Sequence, residues 1–123
     1  MRNLMMNELK NIDTIKYSIE AFSDAFRAVV EREHVQGKDI VRMFDNAIDH
    51  LIAAEKYWTI VARHPDDIDR DDYAYQYGVS VRSAVECLED IQSISESIIS
   101  CQYVKMALNG ACKMICLDLS EIH

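Results

Sequence analysis

The sequence predicts an all-α antiparallel helical bundle, and three observations carry this prediction. Apolar residues recur in steps of three and four along most of the chain, which places them on one face of a helix. Only three glycines and one proline are present, so loops must be few and short. Half of the 123 residues are apolar, enough for a core without disulfides or metal. We therefore expect one domain, residues 1–123, with four helices at 4–34, 39–64, 71–98 and 100–121.

The first predicted helix, 4–34, carries the clearest apolar stripe. Its members follow the spacing of heptad a and d positions and are Ile12, Ile15, Ile19, Phe22, Phe26 and Val29. Gly37 is the expected stop signal, and the chain restarts at Lys38–Asp39. A connection this short makes the second helix an antiparallel neighbour.

The second predicted helix, 39–64, is apolar on more than one side. Its main stripe consists of Phe44, Ala47, Ile48, Leu51, Ala54, Trp58 and Val61, and Ile40, Met43, Ile52, Tyr57 and Ile60 widen it. A helix of this kind is buried on more than one side. It is therefore either the central element of the bundle or part of a subunit interface, and we expect a homo-oligomer. Pro65 ends the helix.

The second half of the chain allows two topologies. Residues 65–72 form a linker in which Asp69 or Asp71 can cap the third helix. Apolar residues follow helical spacing from Tyr77 to Ile98. After Ile98 no glycine or proline occurs until Asn109-Gly110. The four-helix bundle needs a reversal near residues 95–102. The alternative is one long bent helix from about 71 to 108, whose overhang a second chain would have to cover.

Acidic residues are concentrated in one quarter of the chain. Nine acids against Arg70 and Arg82 give this quarter a net charge of −7, out of −8 for the whole chain. The nine are Asp66, Asp67, Asp69, Asp71, Asp72, Glu86, Glu89, Asp90 and Glu96. A field of this sign steers a basic partner towards the protein and opposes direct binding to nucleic acid. We predict that these nine residues form the partner-binding surface.

The four cysteines, Cys87, Cys101, Cys112 and Cys116, fit a reducing compartment. No secretory signal and no apolar run long enough for a membrane span is visible, so we expect a cytoplasmic protein without membrane contact. Cys112 and Cys116 are four residues apart on a helix, which is poor disulfide geometry. Buried cysteine behaves as a small apolar residue, and we expect the four thiols to belong to the core.

Two patterns suggest a metal site. Asp67, Asp69 and Asp71 alternate as in an EF-hand, but Asp72 stands where that loop needs glycine and Gly78 where it needs a closing glutamate. Glu31 and His34 have the Glu-x-x-His spacing of carboxylate-bridged metal bundles, and Asp45, Asp49 and His50 are the candidate neighbours. A second Glu-x-x-His is absent. We therefore predict no metal or other cofactor, and keep a carboxylate–histidine metal bundle as an alternative.

Arg27 and His34 also have an Arg-x6-His spacing. It resembles the loosest form of the nuclease motif of HEPN domains, which are small helical bundles. Ala28 follows Arg27 where that family usually has a polar residue. The resemblance covers two residues and implies a ribonuclease in which Arg27 and His34 lie across a dimer cleft.

These observations favour a protein that acts by contact rather than by chemistry. No nucleophile elbow, Cys-His signature or phosphate-binding glycine loop is present, and we predict no catalytic residue. We expect a small inhibitor, immunity or regulatory protein of the phage or mobile-element type. Immunity proteins, antitoxins and phage proteins that block host nucleic-acid machinery are analogous in size and charge.

Overall fold

The computed structural model describes the backbone of residues 2–33 and 37–122 and the side chains of residues 11–32 and 37–122. Within these residues the chain forms four α-helices and no strand. The helices are α1 (Arg2–Glu33), α2 (Lys38–Arg63), α3 (Arg70–Ile98) and α4 (Gln102–Ile122). The predicted four-helix bundle is confirmed.

The helices pack in a ring, in which each helix contacts the one before it and the one after it. α1 packs against α2, α2 against α3, α3 against α4, and α4 returns to α1. In the described part of the chain neither diagonal pair of helices brings its backbones close together: no Cα atoms of such a pair lie within 8 Å of each other. No helix is therefore central, and the central position considered for the second helix is wrong. Most of its wide apolar surface is shared between α1 and α3, whereas Ile52 remains 50% exposed.

The core is built from the predicted stripes. Fully or almost fully buried side chains come from all four helices and include Ile12, Ile19, Phe44, Leu51, Val81, Leu88, Ile91, Leu108 and Leu119. Phe22 and Val29 of the first stripe are only partly buried, because they border an apolar groove of about 200 Å³ between α1 and α4. Burying a side chain of this size contributes about 1.5–3 kcal/mol, so the stripes account for most of the stabilisation.

Gly37 is required by a close approach rather than by an unusual backbone conformation. Its φ of −166° is extended and open to any residue. A Cβ atom at this position would lie 2.7 Å from Cγ2 of Val30 and 2.9 Å from the ring of Phe26. Its carbonyl oxygen accepts the first α2 hydrogen bond, from the backbone N–H of Val41 at 3.0 Å. Glycine therefore lets the start of α2 pass close to α1.

The N-terminus of α3 begins where the sequence predicts, by a different mechanism. Asp69 occupies the N-cap position, but its carboxylate makes no capping hydrogen bond. Instead its backbone N–H donates to Oδ1 of Asp67 at 2.8 Å, the pattern of an Asx turn. Asp71 and Asp72 lie in the first turn, where their negative charges complement the helix dipole.

Ile99 makes the reversal between α3 and α4 without a glycine or a proline. It leaves the helix with extended angles, φ −95° and ψ 114°, and its side chain is buried in the core. Asn109 and Gly110 lie inside α4. The alternative of one long bent helix that breaks at Asn109-Gly110 is therefore wrong. Burial of an apolar side chain, rather than a turn-forming residue, determines where the chain turns back.

A polar network supports this reversal. The Ser95 hydroxyl, fully buried, lies 2.9 Å from the carbonyl oxygen of Gln92 and 3.0 Å from Oδ1 of Asn109. The Asn109 side-chain amide donates to Oε1 of Glu96 at 3.2 Å, and Nζ of Lys105 lies 3.8 Å from Oε2 of Glu96. The start of α4 is thus joined to the end of α3 by side chains from both helices.

Candidate partner-binding surface

All nine acids predicted to bind a partner are exposed, but the fold divides them into two groups. The loop group lies on the α2–α3 connection and the first turn of α3 and contains Asp66, Asp67, Asp69, Asp71 and Asp72. The α3 acidic group contains Glu86, Glu89, Asp90 and Glu96. Glu86 lies fourteen positions after Asp72 on α3, which is roughly 21 Å along the helix axis. The predicted single surface is therefore two separate patches.

Glu86, Glu89 and Asp90 form the unpaired part of the α3 acidic group. They lie within about one and a half turns of α3, next to the buried Leu88 and Ile91. Within the described residues none of the three forms a salt bridge. Their charges are therefore presented to solvent on a helix that the core holds in place.

Glu96 differs from the other three acids because α4 already binds it. Lys105 and Asn109 both contact its carboxylate, at 3.8 and 3.2 Å. The Glu96 side chain remains 62% exposed, so the bond to Lys105 compensates only part of its charge. The sequence offered no sign of this pair, since Lys105 meets Glu96 only because the chain reverses at Ile99.

The field of the α3 acidic group acts on neighbouring thiols. Burial raises the pKa of Cys87, and the charges of Asp90 and Glu86 raise it further. Burial also raises the pKa of Cys116, and the charge of Glu89 adds to it. Thiols on two different helices, α3 and α4, thus lie within reach of the carboxylate charges of the α3 acidic group.

The four cysteines are free, and three of them belong to the core or its edge. Cys112 is fully buried, and burial raises its pKa to about 12, with a smaller contribution from Cys116. Cys87 and Cys116 are partly buried. Cys101 is exposed in the α3–α4 connection, so the expectation that all four thiols belong to the core is wrong for Cys101.

The residues considered for a metal site are not brought together in the described part of the chain. There, no group of three or more His, Cys, Asp or Glu side chains is arranged to hold an ion. Asp45 is instead 3.9 Å from Nη2 of Arg27, in an exposed pair between α1 and α2. Glu31 is exposed near the end of α1, and His34 lies outside the described residues.

The pair between Arg27 and Asp45 also concerns the ribonuclease alternative, because Arg27 is the first residue of the HEPN-like motif. Arg27 points towards α2, where Oδ2 of Asp45 is its partner. The second residue of the motif, His34, is among the residues that the structure does not describe. The HEPN-like interpretation therefore stays a prediction.

The sequence reasoning missed an apolar surface on the outside of α4. Tyr103, Met106, Met114 and Leu117 are 83%, 64%, 67% and 66% exposed. With Gly110 they form a second stripe, spaced by three and four residues, on the face away from the buried Leu108 and Leu119. The same periodicity that predicted the core face of α4 could have revealed it. We call these five residues the outer α4 stripe.

No protein-family model, no curated protein and no solved structure matches this chain. Among the described residues, none of the four helices has the length and apolar character needed to cross a bilayer.

Proposed function

We propose that this protein acts by protein–protein contact, as a small inhibitory or regulatory protein whose α3 acidic group docks on a basic surface of a macromolecular partner. The observation that carries the proposal is the exposure of Glu86, Glu89 and Asp90 side by side, without a salt bridge in the described structure. Because the packed helix already fixes the backbone of these residues, only their side chains lose freedom when a partner binds.

The net charge of −8 supports the same function over a longer range. The loop group, at one end of α3, extends the negative field beyond the docking site itself. Such a field accelerates encounter with a basic partner and repels nucleic acid. The α3 acidic group then determines where the partner is bound, and the loop group raises the rate at which it arrives.

A charge-reversal experiment tests this proposal. The triple variant Glu86→Lys, Glu89→Lys, Asp90→Lys is compared with the wild type in capture from a host lysate at low salt, followed by affinity measurement on the captured partner. We expect at least a roughly tenfold loss of affinity, because three attractions become repulsions. The loss should shrink as salt rises and screens the exposed charges.

A second triple variant is the control for total charge. Glu20→Lys, Asp24→Lys and Asp49→Lys change the net charge by the same amount at exposed positions of α1 and α2. This control should keep most of the affinity, since only the general field is weakened. Equal losses in both variants, or capture that ignores salt, would reject docking through the α3 acidic group.

A further inference from the structure

The outer α4 stripe leaves one helix apolar on two opposite faces. The core covers the face that carries Leu108, Cys112, Ile115 and Leu119, all buried. The opposite face carries four of the nine exposed large apolar side chains in the described part of the chain. The largest exposed apolar patch of a small domain is often functional, so this face is a candidate interaction surface.

The spacing of the stripe is symmetric about Gly110. Met106 and Met114 both lie four residues from this glycine, and Tyr103 and Leu117 both lie seven residues from it. In an antiparallel pair related by a two-fold axis at Gly110, Met106 of one copy faces Met114 of the other, and Tyr103 faces Leu117. A two-fold interface must be self-complementary in this way.

Gly110 suits a position on the axis. It is exposed, and a Cβ atom built on it would have no neighbour within 4 Å. No close packing inside the bundle requires a glycine here, and in a helix interior glycine is less favourable than alanine. A residue without a side chain lets two helices approach closely where they cross. The open space around Gly110 thus leaves room for a second helix to approach.

The few charges on α4 allow a second copy of this chain to bind on this face. Two chains of net charge −8 repel each other, so they can meet only where few charges face one another. On α4 only Lys105, Lys113, Asp118 and Glu121 are charged. In the antiparallel arrangement Lys113 faces Ala107 and Asp118 faces Gln102, so no like charges are opposed.

The available area fits a weak dimer. At roughly 200 Å² for a side chain of this size, the exposed fractions of the four side chains correspond to about 560 Å² of surface per protomer. Flanking exposed small residues, such as Ala107 on α4 and Ala25 on α1, add to this area. Specific interfaces bury about 800 Å² per partner, and smaller ones belong to weak or transient complexes. The dimer should therefore dissociate on dilution.

We propose that the protein forms a two-fold dimer in which the α4 helices of two copies pack antiparallel and cross at Gly110. This dimer is independent of the acidic docking described above, because it uses a different face. It carries two α3 acidic groups, so one dimer presents two docking sites.

Opposite-charge substitutions test the pairing itself. Met106→Glu and Met114→Lys are made singly and together, and the masses of the proteins are measured by sedimentation equilibrium over a wide concentration range. Wild type should approach twice the chain mass of 14.2 kDa as concentration rises. Each single variant should weaken the dimer at least about tenfold, because a charge is buried against a methionine.

The double variant Met106→Glu, Met114→Lys places the introduced carboxylate of each copy against the introduced ammonium group of the other, so dimerisation should recover. The same-sign double variant Met106→Glu, Met114→Glu should stay monomeric, since two carboxylates would face each other. Tyr75→Glu, at a position 68% exposed on α3, adds a charge outside the stripe and should leave the dimer unchanged. Circular dichroism should show the same helix content in all variants, because the substituted side chains are mostly exposed.

A wild type that remains at 14.2 kDa at every concentration would overturn the dimer. A wild-type dimer in which the two double variants behave alike would overturn the antiparallel register. Loss of the dimer in Tyr75→Glu would place the interface outside α4.

Discussion

The hydroxyl of Tyr77 on α3 donates a buried 2.9 Å hydrogen bond to the carbonyl oxygen of Ile122 at the end of α4. The last carbonyls of a helix have no partner within the helix, so a side chain from another element must satisfy them when they are buried. The Tyr77 ring also packs against Trp58 of α2, with ring centroids 4.6 Å apart. One side chain therefore links three helices at the end of the bundle where α4 stops.

Replacement of Tyr77 by phenylalanine should lower the free energy of unfolding by about 1–2 kcal/mol. The ring and its contact with Trp58 stay, whereas the buried Ile122 carbonyl loses this hydrogen bond. Urea unfolding measures the change, and Tyr75→Phe is the matched control because Tyr75 is 68% exposed. Equal stability of the two variants would show that the hydrogen bond contributes nothing.

Replacement of Ser23 by alanine should leave the protein as stable or make it more stable, by up to about 1 kcal/mol. Ser23 is 2% exposed, and within the described residues its hydroxyl has no hydrogen-bond partner. Removing an unsatisfied buried hydroxyl ends a desolvation cost, and alanine also favours the helix. Ser95→Ala provides the contrast, since its hydroxyl is bonded and its loss should destabilise by about 1–2 kcal/mol.

The stability of the protein should fall at high pH because Lys16 loses the charge that binds it to Glu55. Nζ of Lys16 lies 2.7 Å from Oε1 of Glu55, between α1 and α2. Burial by itself lowers the pKa of Lys16, but the hydrogen bond and charge of Glu55, and then Asp13, outweigh burial and raise it. The stabilisation that the charged Lys16 provides is therefore fully present below its ordinary pKa of 10.5, and it is lost as pH rises through the raised pKa.

A pH series of urea unfolding checks this assignment. Lys16→Met should lower the free energy of unfolding by about 1–2 kcal/mol at neutral pH. Its stability should then fall less than that of the wild type as pH rises, because it has no Lys16 to deprotonate. Lys56→Met, at an exposed position of α2, serves as the control and should keep the wild-type alkaline loss. An unchanged alkaline loss in Lys16→Met would assign it to other groups.

Cys101 should react with a thiol reagent well before the other three cysteines. The thiolate is the reactive form, and burial raises the pKa of Cys112 to about 12 and also raises those of Cys87 and Cys116. The native protein should therefore show one fast thiol, which disappears in Cys101→Ser. All four should react together in denaturant. A fast phase that survives in Cys101→Ser would show that the core opens locally.

The sequence was informative where a local pattern decides the structure. Apolar residues at intervals of three and four determine which faces of a helix can be buried, and a short connection makes the next helix an antiparallel neighbour. For this reason the four helices and buried residues such as Ile12, Phe44 and Leu88 were predictable. The acidic residues were also predictable as exposed, because an unpaired charge is too costly to bury.

Contacts between distant residues were decided only by the tertiary structure. Ile99 turns the chain because its side chain fits the core, and no local signal marks it. That turn brings Lys105 to Glu96, and it leaves the outer α4 stripe on the outside of the ring. Periodicity places residues on the faces of a helix, but it does not determine which of two apolar faces the neighbouring helices will cover. Packing makes that choice, because only one face of α4 can contact α1 and α3 at the same time.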